Sequence, residues 1–469
     1  MRLSFLAAIG LLAPASGLAA QAPRPQDRLP NIVHIIADDV GWDDLGCFGA
    51  KDIATPNLDR LAAEGVRMTS FYAPHSTCTA TRAALMTGCY AQRVSLPTVL
   101  FPNSKQGLHA DEVTIAELLQ QRGYATALFG KWHLGHLDPF LPTRHGFDAF
   151  YGIPYPNDHV PERLDKEGRT RGFPPMPLYE QERIVEQPAQ MATLPDRFTE
   201  RAVQFIAQHK DKPFYLQYSN IETHTPWLTS RRFHYQSKAG VYGDAVQCLD
   251  WSVGRILDAL DQHGLGGDTL VVFQSDNGPL VHEYPELERI YGHAAAVDTE
   301  RPHALREGKY QSRFEGGTRV AGLARWPRRI PAGSTTDTMI AGFDWYPTFA
   351  AVAGAPLPKD RVLDGMDVIS LLDPTMSPQA PAREVLWFHE GFRLVAVRWK
   401  DWKYVLPKAP KGKPQLFDLA KDLGETRDVL AQHPDVVATL EKLVAEARAD
   451  LGDGPDASGT RRRAAGKLD

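Results

Sequence analysis

Asn31-Ile-Val-His-Ile-Ile36 runs, after one alanine, into Asp38-Asp39-Val-Gly-Trp42. The first six residues are a short β-branched run without the alternation of a strand that faces water on one side. That pattern predicts a parallel strand buried on both faces. Two adjacent carboxylates at its end repel unless a cation sits between them. For the pair alone, a solvated loop with a glycine turn is the competing reading. The arrangement recurs down the chain. Tyr124–Phe129 is a strand followed by Gly130-Lys131-Trp132-His133-Leu-Gly135, and Pro213–Ser219 is followed by Ile221-Glu-Thr-His224-Thr-Pro226-Trp227. Thr269–Phe273, the clearest strand, ends in Ser275-Asp276-Asn277-Gly278. Polar clusters just past strand ends are where an open α/β sheet presents its chemistry. Amphipathic segments at Thr55–Glu64, Asp111–Arg122, Asp196–Gln208 and Val241–Leu260 read as helices between them. Val320–Trp326 reads as the last strand of the sheet and Phe343–Ala353 as a closing helix.

A further stretch, Cys78-Thr-Ala-Thr-Arg82-Ala-Ala-Leu-Met-Thr-Gly88, places a cysteine where a helix begins. The free N–H groups and the positive dipole end there suit an atom that becomes anionic or binds an anion. A lone cysteine in such a place is more often simply reduced and half-buried. Leu305–Val320 adds a glycine-flanked loop with several basic residues, Lys309 and Arg319 among them. Asp38, Asp39, Asp276 and Asn277 offer only hard oxygen donors, which favours Ca²⁺ or Mg²⁺ over zinc. Arg82, Lys131, His133, His224 and Lys309 supply positive charge or hydrogen bonds. A divalent cation ringed by basic groups suits a tetrahedral oxyanion. The residues therefore point to hydrolysis of a sulfate or phosphate ester, with Cys78 as nucleophile or its precursor.

The chain has 469 residues, a net charge of −5 and 43% hydrophobic residues. Near-balanced charge gives no reason to expect a nucleic-acid or polybasic membrane partner, and no apolar run after the first 20 residues is long enough to span a bilayer. Met1–Ala20 has the pattern of a secretory signal peptide, with no cysteine at the cleavage region for a lipid anchor, so the expected location is periplasmic or secreted. Four cysteines, Cys47, Cys78, Cys89 and Cys248, are too sparse for a disulfide framework. Ile153–Pro195 is Pro-rich and lacks periodicity, which predicts a long surface excursion. From Leu363 onward the character changes: Glu384–Phe388, Phe392–Arg398, Trp402–Leu406 and Pro414–Asp418 read as antiparallel strands, and Glu425–Leu451 as mostly helix. The expected organisation is a signal peptide over 1–20, a catalytic domain over 21–365, an α+β subdomain over 366–452 and a disordered tail over 453–469.

At these motifs the chain resembles the formylglycine-dependent sulfatases of the alkaline-phosphatase superfamily, from about Asn31 to Leu430. Their signature is Cys, a variable residue, Pro or Ala, usually Ser, then Arg, with Leu-Thr-Gly beyond. Cys78, Ala80, Thr81 and Arg82 match its permissive form, followed by Met86-Thr87-Gly88. Gly152-Ile-Pro-Tyr155 and Leu416-Phe-Asp-Leu419 with Glu425 resemble the arylsulfatase A and N-acetylgalactosamine-6-sulfatase branch. The resemblance implies a three-layer α/β/α sandwich with a large mixed, mostly parallel sheet, plus a small C-terminal α+β domain with a short antiparallel sheet. It implies that a formylglycine-generating or anaerobic sulfatase-maturing enzyme oxidises Cys78 to formylglycine, whose hydrate attacks sulfur. Asp38, Asp39, Asp276, Asn277 and modified Cys78 would bind Ca²⁺, with Mg²⁺ as the alternative. Arg82 and His133 would hold the hydrate, while Lys131, His224 and Lys309 would grip the sulfate. His224 would also assist the leaving group. Trp227 would contact substrate, and Tyr155, His159, Arg171, His234 and Arg319 would line the rim. The expected substrate is a sulfated carbohydrate. The alternatives are a phosphoester or phosphonate-ester hydrolase on the same fold, or a catalytically silent sulfated-glycan-binding protein. The chain departs from the pattern in three places: Thr81 stands for Ser, the stretch Lys309–Glu315 is one residue longer, and Pro156 stands where some relatives carry Ser.

Overall fold

Strand β1 (Asn31–Ala37) lies inside a ten-stranded sheet and is buried along its whole length, as its unbroken apolar run requires. The computed structural model describes residues 28–163, 169–281, 302–373, 381–409, 411–454, 459 and 461–468; the expected signal peptide lies outside them. From one edge to the other the sheet runs β10 (Ser334–Thr336), β2 (Val66–Met68), β9 (Gly322–Arg325), β8 (Thr269–Ser275), β1, β7 (Phe214–Ser219), β3 (Ala125–Lys131), β4 (Ala149–Ile153), β5 (Leu178–Glu180) and β6 (Arg183–Glu186). The five strands β8-β1-β7-β3-β4 are all parallel. The two flanks add antiparallel pairings, so the sheet is mixed.

Side chains alternate across β1. Val33, Ile35 and Ala37 enter one core with α1 (Pro56–Ala63), α4 (Leu194–Gln208) and α5 (Gly240–Gln262). Ile32 enters the other, with α2 (Cys78–Thr87), α3 (Ile115–Gln120) and α6 (Trp345–Ala353). The result is a three-layer α/β/α sandwich. Helix α3 begins at a reciprocal capping box between Thr114 and Glu117, and α2 ends where Gly88 turns left-handed at φ 68°.

Three elements differ from the sequence reading. The sheet does not end at β9, because β10 pairs in parallel beyond β2. Inside the 153–195 excursion, β5 and β6 form a hairpin that extends the sheet edge. Its outer strand exposes Ile184 and Val185, so it carries no inward periodicity to read. The last helix, α7 (Pro434–Leu451), starts well after Glu425, whose φ of 53° and the 3-10 turn Leu430–Gln432 keep the preceding stretch out of helix.

The C-terminal subdomain is a four-stranded antiparallel sheet of β11 (Val385–Glu390), β12 (Arg393–Trp399), β13 (Trp402–Val405) and β14 (Gln415–Asp418). Helix α7 packs Val436, Leu440 and Val444 on one face. The other face meets Tyr72, Ala84, Tyr90, Phe314 and Phe343 of the large domain. A charged cluster is buried at that junction. Glu315 accepts from Lys403 Nζ at 2.8 Å and from Arg319 at 3.2 Å, and is also bonded to Tyr72. Its own N–H donates to Glu425 at 2.6 Å. Within 453–469, where the sequence predicts a disordered tail, Gly466–Lys467 pairs with Gln106–Gly107 and Arg463 reaches Glu112 at 2.6 Å.

Candidate active site

The carboxyl ends of β8, β1, β7 and β3 lie side by side, with Ala37 opposite Ser275 and Gly130 opposite Ser219. This brings Asp276, Asp38, His224 and Lys131 to one edge of the sheet. Gly130 is required there: at φ 113°, a Cβ would stand 1.7 Å from the Ser219 carbonyl oxygen. The adjacent aspartates diverge because Asp39 takes a left-handed φ of 60°. Asp38 Oδ2 accepts from Lys131 Nζ at 2.7 Å, while Asp39 Oδ2 accepts from Lys309 Nζ at 2.6 Å. Asn277 Nδ2 donates to Asp39 Oδ1 at 2.7 Å, and the Asp39 N–H reaches Asp276 Oδ1 at 3.3 Å.

Cys78 opens α2, with its Sγ 3.7 Å from Asp38 Oδ1. One turn on, the buried Arg82 grips Asp276 Oδ2 through Nε at 2.9 Å and Nη2 at 2.8 Å, and donates Nη1 to the Lys131 carbonyl at 2.8 Å. Thr81 donates to the His75 carbonyl at 2.8 Å, bracing the turn that leads into the helix. Lys309 also donates to His224 Nε2 at 2.8 Å. His224 Nδ1 is 2.6 Å from the Thr225 carbonyl, so that nitrogen carries the proton and Nε2 is the acceptor. His133 donates Nε2 to the Leu100 carbonyl at 3.0 Å, which leaves its buried Nδ1 as a lone acceptor.

Burial and Lys309 hold His224 well below its usual range, and burial with Lys131 does the same to His133, so both rings are neutral. Burial raises Asp39, and burial with the Asp38 charge pushes Asp276 up to about 6. Asp38 is also desolvated, but Lys131, Arg82 and Lys309 outweigh that and keep it low. Burial and the Asp276 charge push the Cys78 thiol far up. Such a thiol is a poor nucleophile in its own right.

The remaining expected residues divide. Trp227 is buried, donates to the Thr223 carbonyl at 3.1 Å and packs on Tyr242; with Asp39 it lines a small cavity. Tyr155 and His159 are buried neighbours, 6.0 Å between ring centroids, and His159 lies 5.9 Å from His133. Arg171 and His234 are exposed. Arg319 is not on a rim: it is buried against Glu315 and the Thr69 carbonyl at the subdomain junction. Sequence reasoning passed over Asn220, which accepts the Asp38 N–H at 2.7 Å, and Asn157, which donates to the His224 carbonyl at 2.9 Å. Neither belongs to a charged motif. It also found no second set of metal donors, whereas Asp43, Asp44 and His303 come within ligand reach of one another. Those groups already bond internally: Asp43 to His303 and the Ala304 N–H, Asp44 to the Gly41 N–H and Tyr242.

The cluster could hold a metal ion. Asp38, Asp39, Cys78 and His224 can each bring one ligand atom within 4.8 Å of the others. Asn277 Oδ1 is a buried oxygen with no hydrogen-bond partner among the described residues. Asp38, Asp39 and Asp276 are balanced by Arg82, Lys131 and Lys309, so a divalent ion would leave the cluster at plus two. That excess suits a tetrahedral oxyanion, since a sulfate monoester carries one negative charge and the sulfate released from it two.

The Sulfatase family model matches residues 30–355. Arylsulfatase A of Homo sapiens is 38% identical over 477 residues, spanning 92% of this chain and 89% of its own length. A Bacteroides thetaiotaomicron protein, solved in connection with metabolism of multiple glycosaminoglycans, is 30% identical with a TM-score of 0.74. It covers 90% of this chain and 99% of its own. Ps i-CgsB, solved in complex with k-i-k-neocarrahexaose, has a TM-score of 0.75 at 28% identity and covers 89% and 92% of the two chains.

Proposed function

The chain belongs to the sulfatase family and hydrolyses sulfate esters, and from that premise we propose that its substrate is a sulfated carbohydrate, its nucleophile formylglycine made from Cys78, and its cation Ca²⁺. The observation that carries this reading is Cys78 Sγ at 3.7 Å from Asp38, with Lys131 and Lys309 each bonded to a different aspartate. The raised thiol speaks against Cys78 acting unmodified. At 2% exposure Cys78 is out of reach of a maturing enzyme in the folded chain, so its conversion precedes folding. Sulfated-carbohydrate chemistry draws support from the glycosaminoglycan and carrageenan-oligosaccharide contexts of the two solved relatives.

Asp38, Asp39, Asp276 and Asn277 would hold the ion beside residue 78. A formylglycine hydrate at residue 78 would supply the nucleophilic hydroxyl and a second hydroxyl for release of sulfate, and a cation held by these residues would supply positive charge. Arg82, held by its Nε hydrogen bond and Nη2 ion contact to Asp276, fixes a positive charge one turn from residue 78. Lys131 and Lys309 place ammonium groups against the sulfate oxygens, where charge grows as the S–O bond breaks. The expectation that His224 donates the leaving-group proton needs revision, because its Nε2 is unprotonated and faces Lys309. Burial opposes the Lys309 charge, but Asp39 more than compensates and keeps the ammonium protonated. The proton for the leaving oxygen would therefore come from the Lys309 ammonium directly, with His224 Nε2 holding that ammonium in place and the resulting amine taking a proton back from solvent. Among the described residues no helix is long and apolar enough to cross a membrane. The Met1–Ala20 pattern supports export to the periplasm or beyond.

The test is the mass of the tryptic peptide containing Cys78, from protein made in a host that matures sulfatases. Conversion to the aldehyde lowers it by about 18 Da; because the hydrate weighs nearly the same as cysteine, thiols are alkylated first, so that an unmodified peptide gains the alkyl mass and a converted one does not. Sulfate release from sulfated sugars accompanies the converted form. An unmodified cysteine in an active preparation overturns the nucleophile assignment.

A further inference from the structure

Among the large apolar side chains that the described residues expose, Tyr310 is the one joined in sequence to a residue of the site. Tyr310 is 44% exposed while Lys309 is 2% exposed. The abrupt change follows from a left-handed backbone at Tyr310, φ 72°, which side-chain-bearing residues adopt rarely and at a cost. That conformation is held from several directions. Lys309 N–H donates to the Pro279 carbonyl and Tyr310 N–H to the Ser76 carbonyl, both at 2.8 Å. Ser312 Oγ bonds Ser76 Oγ at 2.7 Å, and Glu315 at the end of the loop is clamped by Lys403 and Glu425 from the C-terminal subdomain. The ring is thus a rigid aromatic face. Its centroid is 5.4 Å from Lys309 Nζ, the ammonium that bonds Asp39 and His224. The buried Asp158 carboxylate is near enough to act on the Tyr310 hydroxyl.

We propose that Tyr310 determines specificity for the alcohol part of the ester, its exposed ring serving as the platform on which the apolar face of a sulfated sugar ring lies. A sulfate drawn to Lys309 leaves the rest of its ester at the mouth of the site, beside that ring. A sugar presents C–H groups on one face and hydroxyls at its edge, which match an aromatic face with a polar neighbour. This inference rests on the sulfated-carbohydrate reading of the site.

The experiment compares matured wild type, Tyr310→Ala and Tyr310→Phe, measuring KM for a hexose 6-sulfate and inhibition by inorganic sulfate. Tyr310→Ala is expected to raise KM about tenfold, since the platform contact is lost. The inhibition constant of sulfate should stay within about twofold, and Tyr310→Phe should behave as wild type. A KM change below about twofold in Tyr310→Ala overturns the proposal. So does a parallel loss of sulfate affinity, which would mean that Tyr310 acts by placing Lys309. If wild type cleaves aryl sulfates but no sulfated sugar, the carbohydrate reading fails by itself. The same comparison run on 4-nitrophenyl sulfate, with the same thresholds, then decides the platform.

Discussion

Replacing Lys309 by methionine keeps most of the side-chain length and removes the charge. Two partners lose their donor at once: Asp39 Oδ2 at 2.6 Å and His224 Nε2 at 2.8 Å. At that separation the ammonium–carboxylate attraction is about 6 kcal/mol for an effective dielectric of ~20, most of it offset by desolvating two buried charges. Breaking such a pair from one side costs about 3–5 kcal/mol. Some of this is recovered because Asp39, already raised by burial, takes up a proton. We expect a net destabilisation of about 2 kcal/mol. The effect on turnover is larger. The site would keep two of its three cations, and a preorganised donor aimed at growing charge is worth about 10²–10³ in rate. Steady-state hydrolysis of 4-nitrophenyl sulfate by matured Lys309→Met should fall by that factor, with weaker inhibition by inorganic sulfate. Lys309→Arg, which retains charge but not the compact ammonium, should fall less. A loss under about fivefold in Lys309→Met would refute the placement of Lys309 at the reacting sulfate.

Acid stability should report the subdomain junction. Burial alone would raise Glu315, but Lys403, Arg319 and Arg398 hold it down to about 2 against a usual 4.5. A depressed carboxylate stabilises above its unfolded value and loses that contribution as pH falls from about 4.5 through about 2, here about 3 kcal/mol. Urea midpoints across that window should therefore fall less steeply for Glu315→Gln, from a lower starting value, than for wild type. Gly130→Ala should abolish soluble protein, since its Cβ would meet the Ser219 carbonyl at 1.7 Å; Gly172→Ala, with nothing within 4 Å, should cost only about 1 kcal/mol. Chelation should remove activity and lower the melting temperature reversibly, and Ca²⁺ at a hundredfold over its Kd should restore about 3 kcal/mol. A chelated protein with unchanged melting temperature and full turnover would rule out the cation site.

Much of the site was readable before any fold was known, for a local reason. A strand buried on both faces announces itself by an unbroken β-branched run, and the polar residues that follow it stand out against that background. Asp38, Lys131, His224 and Asp276 were legible in this way. The edge hairpin β5–β6 was not, because its side chains face solvent and carry no inward period. Asn220 and Asn157 were silent as well, since a neutral amide that braces a loop looks in sequence like any other loop residue.

The sequence by itself determined which residues stand at strand ends and which chemistry they can perform, because periodicity, turn glycines and donor hardness are properties of neighbours in the chain. Only the tertiary structure decided which of those ends meet. The order β8-β1-β7-β3 brings Lys131 to Asp38, 93 residues apart, while the packing of α2 and of the 305–320 loop at the same edge brings Arg82 to Asp276 and Lys309 to Asp39, 194 and 270 residues apart. It also decided that His224 accepts rather than donates, and that Arg319 serves the junction rather than the pocket. Tyr310 faces solvent one residue after a buried lysine for the same kind of reason. Such roles depend on long-range packing and on the burial that sets each group's charge, and neither is encoded in any single stretch of chain.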